Sequence, residues 1–266
     1  TTSLIASIMS HAQLDPTIIN GGIINSFNSN AQLGKGEYLI AEADESDKSF
    51  LLLQPSISVI TNIEPDHLIN YEDNFDNLKN AFLEFIKKLP FNGISIVCGD
   101  DPVISELKTS FQRSHISYGF DPKNDYVLSE YESDGRKSTF KITSNLNSID
   151  ITLNMLGQHN ALNAAAAIVL CLLENIPIKV IKESLEGFMG IDRRMQILGE
   201  QINEKSSKVY IDDYGHHPTE IQKTIEAIKN SYPEHNLTMV FQPHRYTRTK
   251  DLFNEFIHVL KDVDNL

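Results

Sequence analysis

The chain contains no run of about 18 consecutive apolar residues, the length that a membrane-spanning helix requires. Its only two cysteines, Cys98 and Cys171, lie in apolar runs, which favours buried thiols in a reducing cytoplasm over a disulfide framework. The start, TTSLI, has neither Met nor a basic side chain, so it predicts neither a signal peptide nor a natural start. Internal repeats and low-complexity segments are also missing. With 41% hydrophobic and 22% charged residues, the composition excludes a disordered, collagen-like or coiled-coil chain.

Positive charge is scarce, because 23 Lys and Arg stand against 36 Asp and Glu and give a formal net charge of −13. Such a field repels nucleic acid and anionic membranes at long range, so we expect neither as a partner. A small anionic ligand remains compatible with this charge. It requires local help from a divalent cation or from a few well-placed Arg and Lys side chains.

Strands alternate with helices along most of the chain, which predicts an α/β fold with a mostly parallel sheet. Residues 115–156 differ, since alternating segments separated by polar residues and Gly predict a small antiparallel addition. An Ala-rich helix is expected over residues 160–173. Because the segment 187–192 contains two glycines and precedes a new βα alternation, we predict two domains, 1–190 and 191–266.

The second domain has expected strands at 209–211 and 237–241 and expected helices at 220–229 and 252–263. Two such βα units are too few to close a doubly wound sheet. We therefore expect this domain to be a truncated, Rossmann-like one.

Acidic residues crowd the end of the predicted strand 38–41, beginning with Glu42. Ligands of open α/β sheets bind beyond the carboxyl ends of strands, and carboxylate oxygens there suit Mg²⁺. His67 follows a second predicted strand, 58–62, in the equivalent position and could serve as a ligand or as an acid–base group. A solvated polar loop is the alternative for each segment.

The expected Ala-rich helix begins with two Asn residues, Asn160 and Asn163, whose spacing places them on one helix face. An Asn amide matches the hydrogen-bonding edge of adenine. The alternative, that Asn160 caps the helix, leaves Asn163 unexplained. Further along, Arg193 and Arg194 follow the expected junction, and they fit either phosphate binding or a solvated charged turn.

Polar segments also follow both predicted strands of the second domain. The first, DDYGHHP at 212–218, has adjacent His side chains that point apart, which favours a ligand-binding loop over a metal chelate. The second, QPHRYTR at 242–248, carries Arg245 and Arg248 three residues apart at an expected helix N-terminus, a natural anion site.

Five segments, in this order, resemble the signature motifs of the Mur ligases of peptidoglycan synthesis. They are YLIAEADESD at 38–47, TNIEPDH at 61–67, GQHNALNA at 157–164, DDYGHHPTE at 212–220 and FQPHRYTRT at 241–249. The resemblance covers essentially the whole chain, and its last two motifs are the specific ones. Within the family it is greatest to the members that join L-alanine to UDP-N-acetylmuramate.

The resemblance implies a role for each residue singled out above. Glu42 and His67 would bind two Mg²⁺ ions and, with Arg194, would be the catalytic residues. The residues that would bind ATP are Asn160 and Asn163 at adenine, Arg194 at the phosphates and Asp213 at the ribose. The residues that would hold the uridine-nucleotide substrate are Tyr214, His244, Arg245 and Arg248. Where the family has Phe after its Arg pair, this chain has Met195, a change expected to affect packing more than chemistry.

The family consists of an N-terminal Rossmann-like domain, a central ATPase domain and a C-terminal Rossmann-like domain. Its central domain opens with a Gly-rich loop that ends in Gly-Lys-Thr, which this chain does not contain. Thr1 and Thr2 resemble the Thr run that follows this loop. We therefore expect an internal fragment, inactive alone, whose partner is the missing N-terminal domain of the same enzyme.

The implied reaction is ATP-dependent amide formation in the bacterial cytoplasm, during synthesis of a cell-wall precursor. Two alternatives stay open. One is the related ligase that recycles a murein tripeptide. The other is a non-catalytic nucleotide-binding module, which the lack of the phosphate loop favours for the fragment alone.

Overall fold

The computed structural model describes residues 1–25, 29–203 and 206–266. The helices are α1 (Thr2–His11), α2 (Phe75–Lys87), α3 (Pro102–Leu107), α4 (Gln158–Leu173), α5 (Ile178–Glu186), α6 (Pro218–Ser231), α7 (Tyr246–Asp251) and α8 (Phe253–Leu260). The strands are β1 (Thr17–Ile24), β2 (Ser29–Gln32), β3 (Leu39–Ala41), β4 (Ile57–Ile60), β5 (Ile94–Cys98), β6 (Ser114–Gly119), β7 (Tyr126–Ser133), β8 (Ser138–Thr143), β9 (Ser148–Leu153), β10 (Gln196–Asn203) and β11 (Ser206–Asp212). In the described part of the chain, no helix is both long and apolar enough to cross a bilayer.

A six-stranded mixed sheet, in the order β4-β5-β6-β7-β8-β9, forms the centre of the molecule. Strands β4 to β7 run parallel, and β7 to β9 run antiparallel. The predicted α/β class with an antiparallel addition is therefore confirmed. The addition is smaller than expected, because β6 pairs in parallel with both of its neighbours.

A second sheet, in the order β2-β1-β3, was not predicted apart from β3. Strand β1 is parallel to β3 and antiparallel to β2, and its register with β2 shifts between Ile19 and Ile24. The sequence obscures β1 because Asn20, Gly21 and Gly22 lie in its middle, and Asn and Gly are depleted in strands.

Helix α4 is buried along most of its length because alanine side chains allow its neighbours to approach closely. Five of its alanines have no solvent exposure: Ala161, Ala164, Ala165, Ala166 and Ala167. The helix packs against α1 and against strands β5 to β8. Gly157 is its N-cap with a φ of 94°, a left-handed conformation that other residues adopt only with strain. The predicted Ala-rich helix is thus confirmed, and it begins two residues earlier than expected, at Gln158.

The C-terminal part contains the β10–β11 hairpin and three helices, with Ile221, Ile225, Phe256 and Val259 forming its small core. One expectation for this part is wrong, and one strand was not expected. Residues 237–241 form only a single parallel bridge, from Thr238 to Asn265, and not a strand, because a strand needs a neighbour for its backbone groups. The hairpin partner of β11, strand β10, was not predicted.

The junction segment is tied back to the second sheet. Ile191 forms an isolated bridge with Ile24, and the Asp192 N–H donates to Ile23 O at 3.3 Å. The division at residues 190 and 191 stays a prediction.

Candidate functional site

A cleft of about 2210 Å³ lies between the central sheet and the C-terminal part. Its walls include β3 and β4 and the first turns of α1 and α4. The predicted site residues that line it are Glu42, Asn160, Asn163, Arg194, Asp213 and Tyr214. Both Asn residues thus line the same cleft as Arg194 and Asp213, and the role of each residue stays a prediction.

Glu42 lies at the carboxyl end of β3, as expected, and its side chain is exposed to the cleft. Its backbone N–H donates to Ile19 O at 2.8 Å, and its Oε2 accepts the Gly21 N–H at 2.8 Å. The carboxylate is thus held at one oxygen although it is exposed.

The start of α1 lies between Glu42 and the Asn pair. The Thr1 hydroxyl donates to Asn163 Oδ1 at 2.7 Å. Thr1, Glu42 and Arg194 all line the cleft.

Asn160 is 7% exposed, and its Nδ2 donates to Leu156 O at 2.7 Å. The alternative that Asn160 caps α4 is wrong, since Gly157 occupies the N-cap position. Asn163, one turn further on, is half-buried and reaches Thr1. Both Asn side chains line the cleft, and each already makes one hydrogen bond within the protein.

Asp213 organises the loop that carries Arg194. Its Oδ2 accepts the Met195 N–H at 2.9 Å, and its Oδ1 accepts the Gly215 N–H at 2.8 Å and the Thr224 hydroxyl at 3.2 Å. Arg194 is half exposed and lies 3.9 Å from Glu220, so its guanidinium is only loosely held. Met195 packs with Leu156 and Ala227, in agreement with the packing role expected for it.

His159 is a cleft residue that the sequence analysis did not select. Burial holds the pKa of its imidazole below the ordinary value of 6.5; Asp213 raises it and Arg194 lowers it further. The ring is therefore neutral near pH 7, and it can donate one hydrogen bond and accept another. The sequence feature that could have indicated His159 is its position within the GQHNALNA segment at 157–164.

A row of rings leads from the cleft to its outer side. The Arg193 guanidinium lies 5.0 Å from the Tyr214 ring centroid, Tyr214 contacts His216 edge-on at 5.1 Å, and His216 contacts His244 at 5.8 Å. Tyr214 lines the cleft, whereas His244 is outside its lining and is exposed.

His67, Arg245 and Arg248 meet at a second place, away from the cleft lining. Arg248 is 6% exposed, and its Nη2 lies 3.0 Å from Asp66 Oδ2. Arg245 Nη1 lies 3.4 Å from His67 Nδ1. Burial alone would raise the pKa of Asp66, but the His67 N–H, the His67 ring and Arg248 lower it below its ordinary value. Asp66 was missed because its partner is remote in sequence.

Two groups of contacts join the C-terminal part to the central sheet. In the first group, Arg248 pairs with Asp66, and His217 Nδ1 lies 3.5 Å from Glu64 Oε2. In the second group, Arg136 Nη2 lies 2.7 Å from Glu200 Oε2, Ser133 Oγ lies 2.8 Å from Ser231 Oγ, and the Tyr232 hydroxyl donates to Gly135 O. The cleft is therefore bounded on both sides by contacts between the two parts.

The metal-ligating groups in the cleft suit Mg²⁺ better than a metal ion held entirely by protein ligands. Among residues 1–25, 29–203 and 206–266, no three His, Cys, Asp or Glu side chains group to hold a metal ion. Mg²⁺ needs only one or two carboxylates and completes its shell with phosphate oxygens and water. Glu42 fits this need, because Gly21 holds one of its oxygens at the edge of the cleft. His67 fits less well, since imidazole is not a preferred ligand of this cation; its role as a ligand stays a prediction.

Comparison with known proteins shows which class this fold and cleft define. The model of the Mur ligase middle domain matches residues 1–171, and the model of the Mur ligase glutamate ligase domain matches residues 193–266. The chain belongs to the Mur ligase family.

Among solved structures, the chain is similar to UDP-N-acetylmuramate-alanine ligase MurC from Thermotoga maritima. The identity is 27%, the TM-score is 0.83, and the match covers 99% of this chain and 57% of that one. A murein peptide ligase from Psychrobacter arcticus shares the fold at 23% identity and a TM-score of 0.67, covering 92% and 55%. MurF ligase from Thermotoga maritima, solved in complex with ADP, also shares the fold. Its identity is 16% and its TM-score 0.64, and the match covers 86% of this chain and 54% of that one. The chain thus spans little more than half the length of these enzymes.

The lowered pKa of His159 predicts a pH dependence of stability. As pH falls below about 7, the unfolded chain takes up a proton on this residue before the folded chain does, so the free energy of unfolding decreases. In His159→Gln, the decrease between about pH 7 and pH 5 should be smaller. Urea unfolding across this range measures it, with exposed His115→Gln as control. Parallel pH profiles for wild type and His159→Gln would refute the prediction.

Proposed function

We propose that this chain binds ATP in the cleft and forms part of an ATP-dependent ligase that joins L-alanine to UDP-N-acetylmuramate. The observation that carries the proposal is the convergence of Glu42, Asn163 and Arg194 on one cleft in a member of the Mur ligase family. ATP and nucleotide-linked sugars are cytoplasmic metabolites, so the proposal includes a cytoplasmic location.

In the proposed reaction, the muramoyl carboxylate attacks the γ-phosphate of ATP and forms an acyl phosphate, which the amine of L-alanine then attacks with release of phosphate. This activation is needed because a carboxylate is a poor acyl donor. The protein contributes mainly by positioning the reactants and neutralising crowded phosphate charge.

Each cleft residue has a proposed task in this reaction. Asn160 and Asn163 hold the adenine edge, and Asp213 holds the ribose while it orders the Arg194 loop. Arg194, loosely held at the cleft, swings onto the phosphates. Glu42 holds a Mg²⁺ ion, which when bound neutralises phosphate charge.

The second group of residues is proposed to act on the other substrate. Tyr214, His244, Arg245 and Arg248 hold the uridine nucleotide near its reacting carboxylate, and His67 binds a second cation among them. Arg248 supports this proposal, because its buried Nε and Nη1 have no hydrogen-bond partner among the described residues. For His67 to reach a cation, its contacts with Asp66 and Arg245 would have to open.

Binding of Mg·ADP to this chain tests the nucleotide site. In titration calorimetry we expect Arg194→Ala and Asn163→Ala each to weaken binding about tenfold, equivalent to about 1.4 kcal/mol. Arg113→Ala is the matched control, since Arg113 donates to the backbone carbonyls of Leu89 and Lys87 and is outside the cleft lining. Equal affinities in all four proteins would show that the nucleotide binds elsewhere.

The substrate is tested on the complete translation product of the gene, by phosphate release with UDP-N-acetylmuramate and ATP. We expect release to depend on L-alanine rather than on the murein tripeptide, because the MurC match has the higher identity, coverage and TM-score. Preference for the tripeptide would favour the recycling ligase. Tight Mg·ADP binding without turnover would favour a non-catalytic module.

A further inference from the structure

The parallel ladder between β1 and β3 ends in a departure from the regular pattern. Its last backbone bond runs from the Glu42 N–H to Ile19 O at 2.8 Å. In a regular parallel pair, the next bond would run from the Gly21 N–H to the backbone carbonyl of Glu42. Here the Gly21 N–H donates to the side chain instead, at 2.8 Å from Oε2. The carboxylate therefore takes the place of a strand carbonyl.

This arrangement requires glycine at position 21. A Cβ built there would lie 2.8 Å from Glu42 Oε1 and 3.1 Å from its Cδ, well inside van der Waals contact. Because Glu42 is exposed and flexible, an added methyl group would push its carboxylate away at little cost in stability. The substitution would therefore change the position of the carboxylate rather than the stability of the fold.

Asn20 fixes the backbone that presents the Gly21 N–H. Its side chain is 6% exposed and bonds at both ends. Its Oδ1 accepts the Ser3 hydroxyl of α1 at 3.1 Å, and its Nδ2 donates to Gly22 O at 2.6 Å. The chain on both sides of Gly21 is thus anchored to the helix that also contacts Asn163 through Thr1.

We propose that Gly21 is a positioning residue for Glu42: its N–H holds one carboxylate oxygen so that the other faces the cation of a bound Mg·nucleotide. The inference rests on the proposed function, because that cation is what the carboxylate is positioned for. Partners that orient a metal ligand in this way typically change metal affinity by about 10- to 100-fold.

Calorimetry with two probes, Mg·ADP and ADP in excess EDTA, tests this role. Gly21→Ala should weaken Mg·ADP binding about tenfold, as Glu42→Ala does, and leave metal-free ADP binding unchanged. The double variant should bind no more weakly than Glu42→Ala. Gly199→Ala is the matched control, since a Cβ there has no neighbour within 4 Å in the described structure.

A second readout, independent of nucleotide, is the amide resonance of Gly21, which should move upfield in Glu42→Ala when its carboxylate acceptor is removed. If the wild-type chain binds no Mg·ADP, the proposed function fails, and this resonance still decides whether Gly21 holds Glu42. The inference is overturned by an unmoved resonance, by Gly21→Ala binding Mg·ADP as Gly199→Ala does, or by equal losses for Mg·ADP and metal-free ADP.

Discussion

The close packing of α4 is the constraint on which the rest of the structure depends. The first half of α4 buries five alanines, so it lies close against α1 and the central sheet, and the longer side chains of residues 168–171 continue the buried surface in its second half. Its first turn lies beside the start of α1, where the Thr1 hydroxyl donates to Asn163 Oδ1. Replacing one of these alanines by a larger residue would displace Asn160, Asn163 and Thr1 together, although none of them would have changed.

The charge distribution agrees with a site for an anion in an acidic protein. The net charge of −13 gives no general attraction for phosphate, so binding must depend on local groups. Arg194 lies at the cleft on a loop that Asp213 holds, because the Asp213 carboxylate accepts the N–H of the next residue, Met195. Burial would raise the pKa of Glu220, but the His216 and His217 N–H groups, the His216 ring and Arg194 lower it. Glu220 is therefore an ionised counter-charge 3.9 Å from Arg194.

The parts of the fold and site that could be predicted from the sequence are those encoded by neighbouring residues. Glu42 and Asp213 directly follow β3 and β11 and both line the cleft, although the two strands belong to different sheets. The α4 prediction succeeded because its alanines have helical period and length. Strand β1, Gly21 and Asp66 were missed, since each depends on a partner remote in sequence: β3, the Glu42 side chain and Arg248. No local pattern carries that information.

The proposed roles of the cleft residues all depend on an adenine nucleotide binding between the central sheet and the C-terminal part. A crystal structure of this chain grown with Mg²⁺ and ADP is the decisive experiment. We expect the adenine ring within hydrogen-bond distance of Asn163, the phosphates beside Arg194, and a cation on Glu42. Nucleotide density at another surface, with this cleft filled only by water, would contradict it.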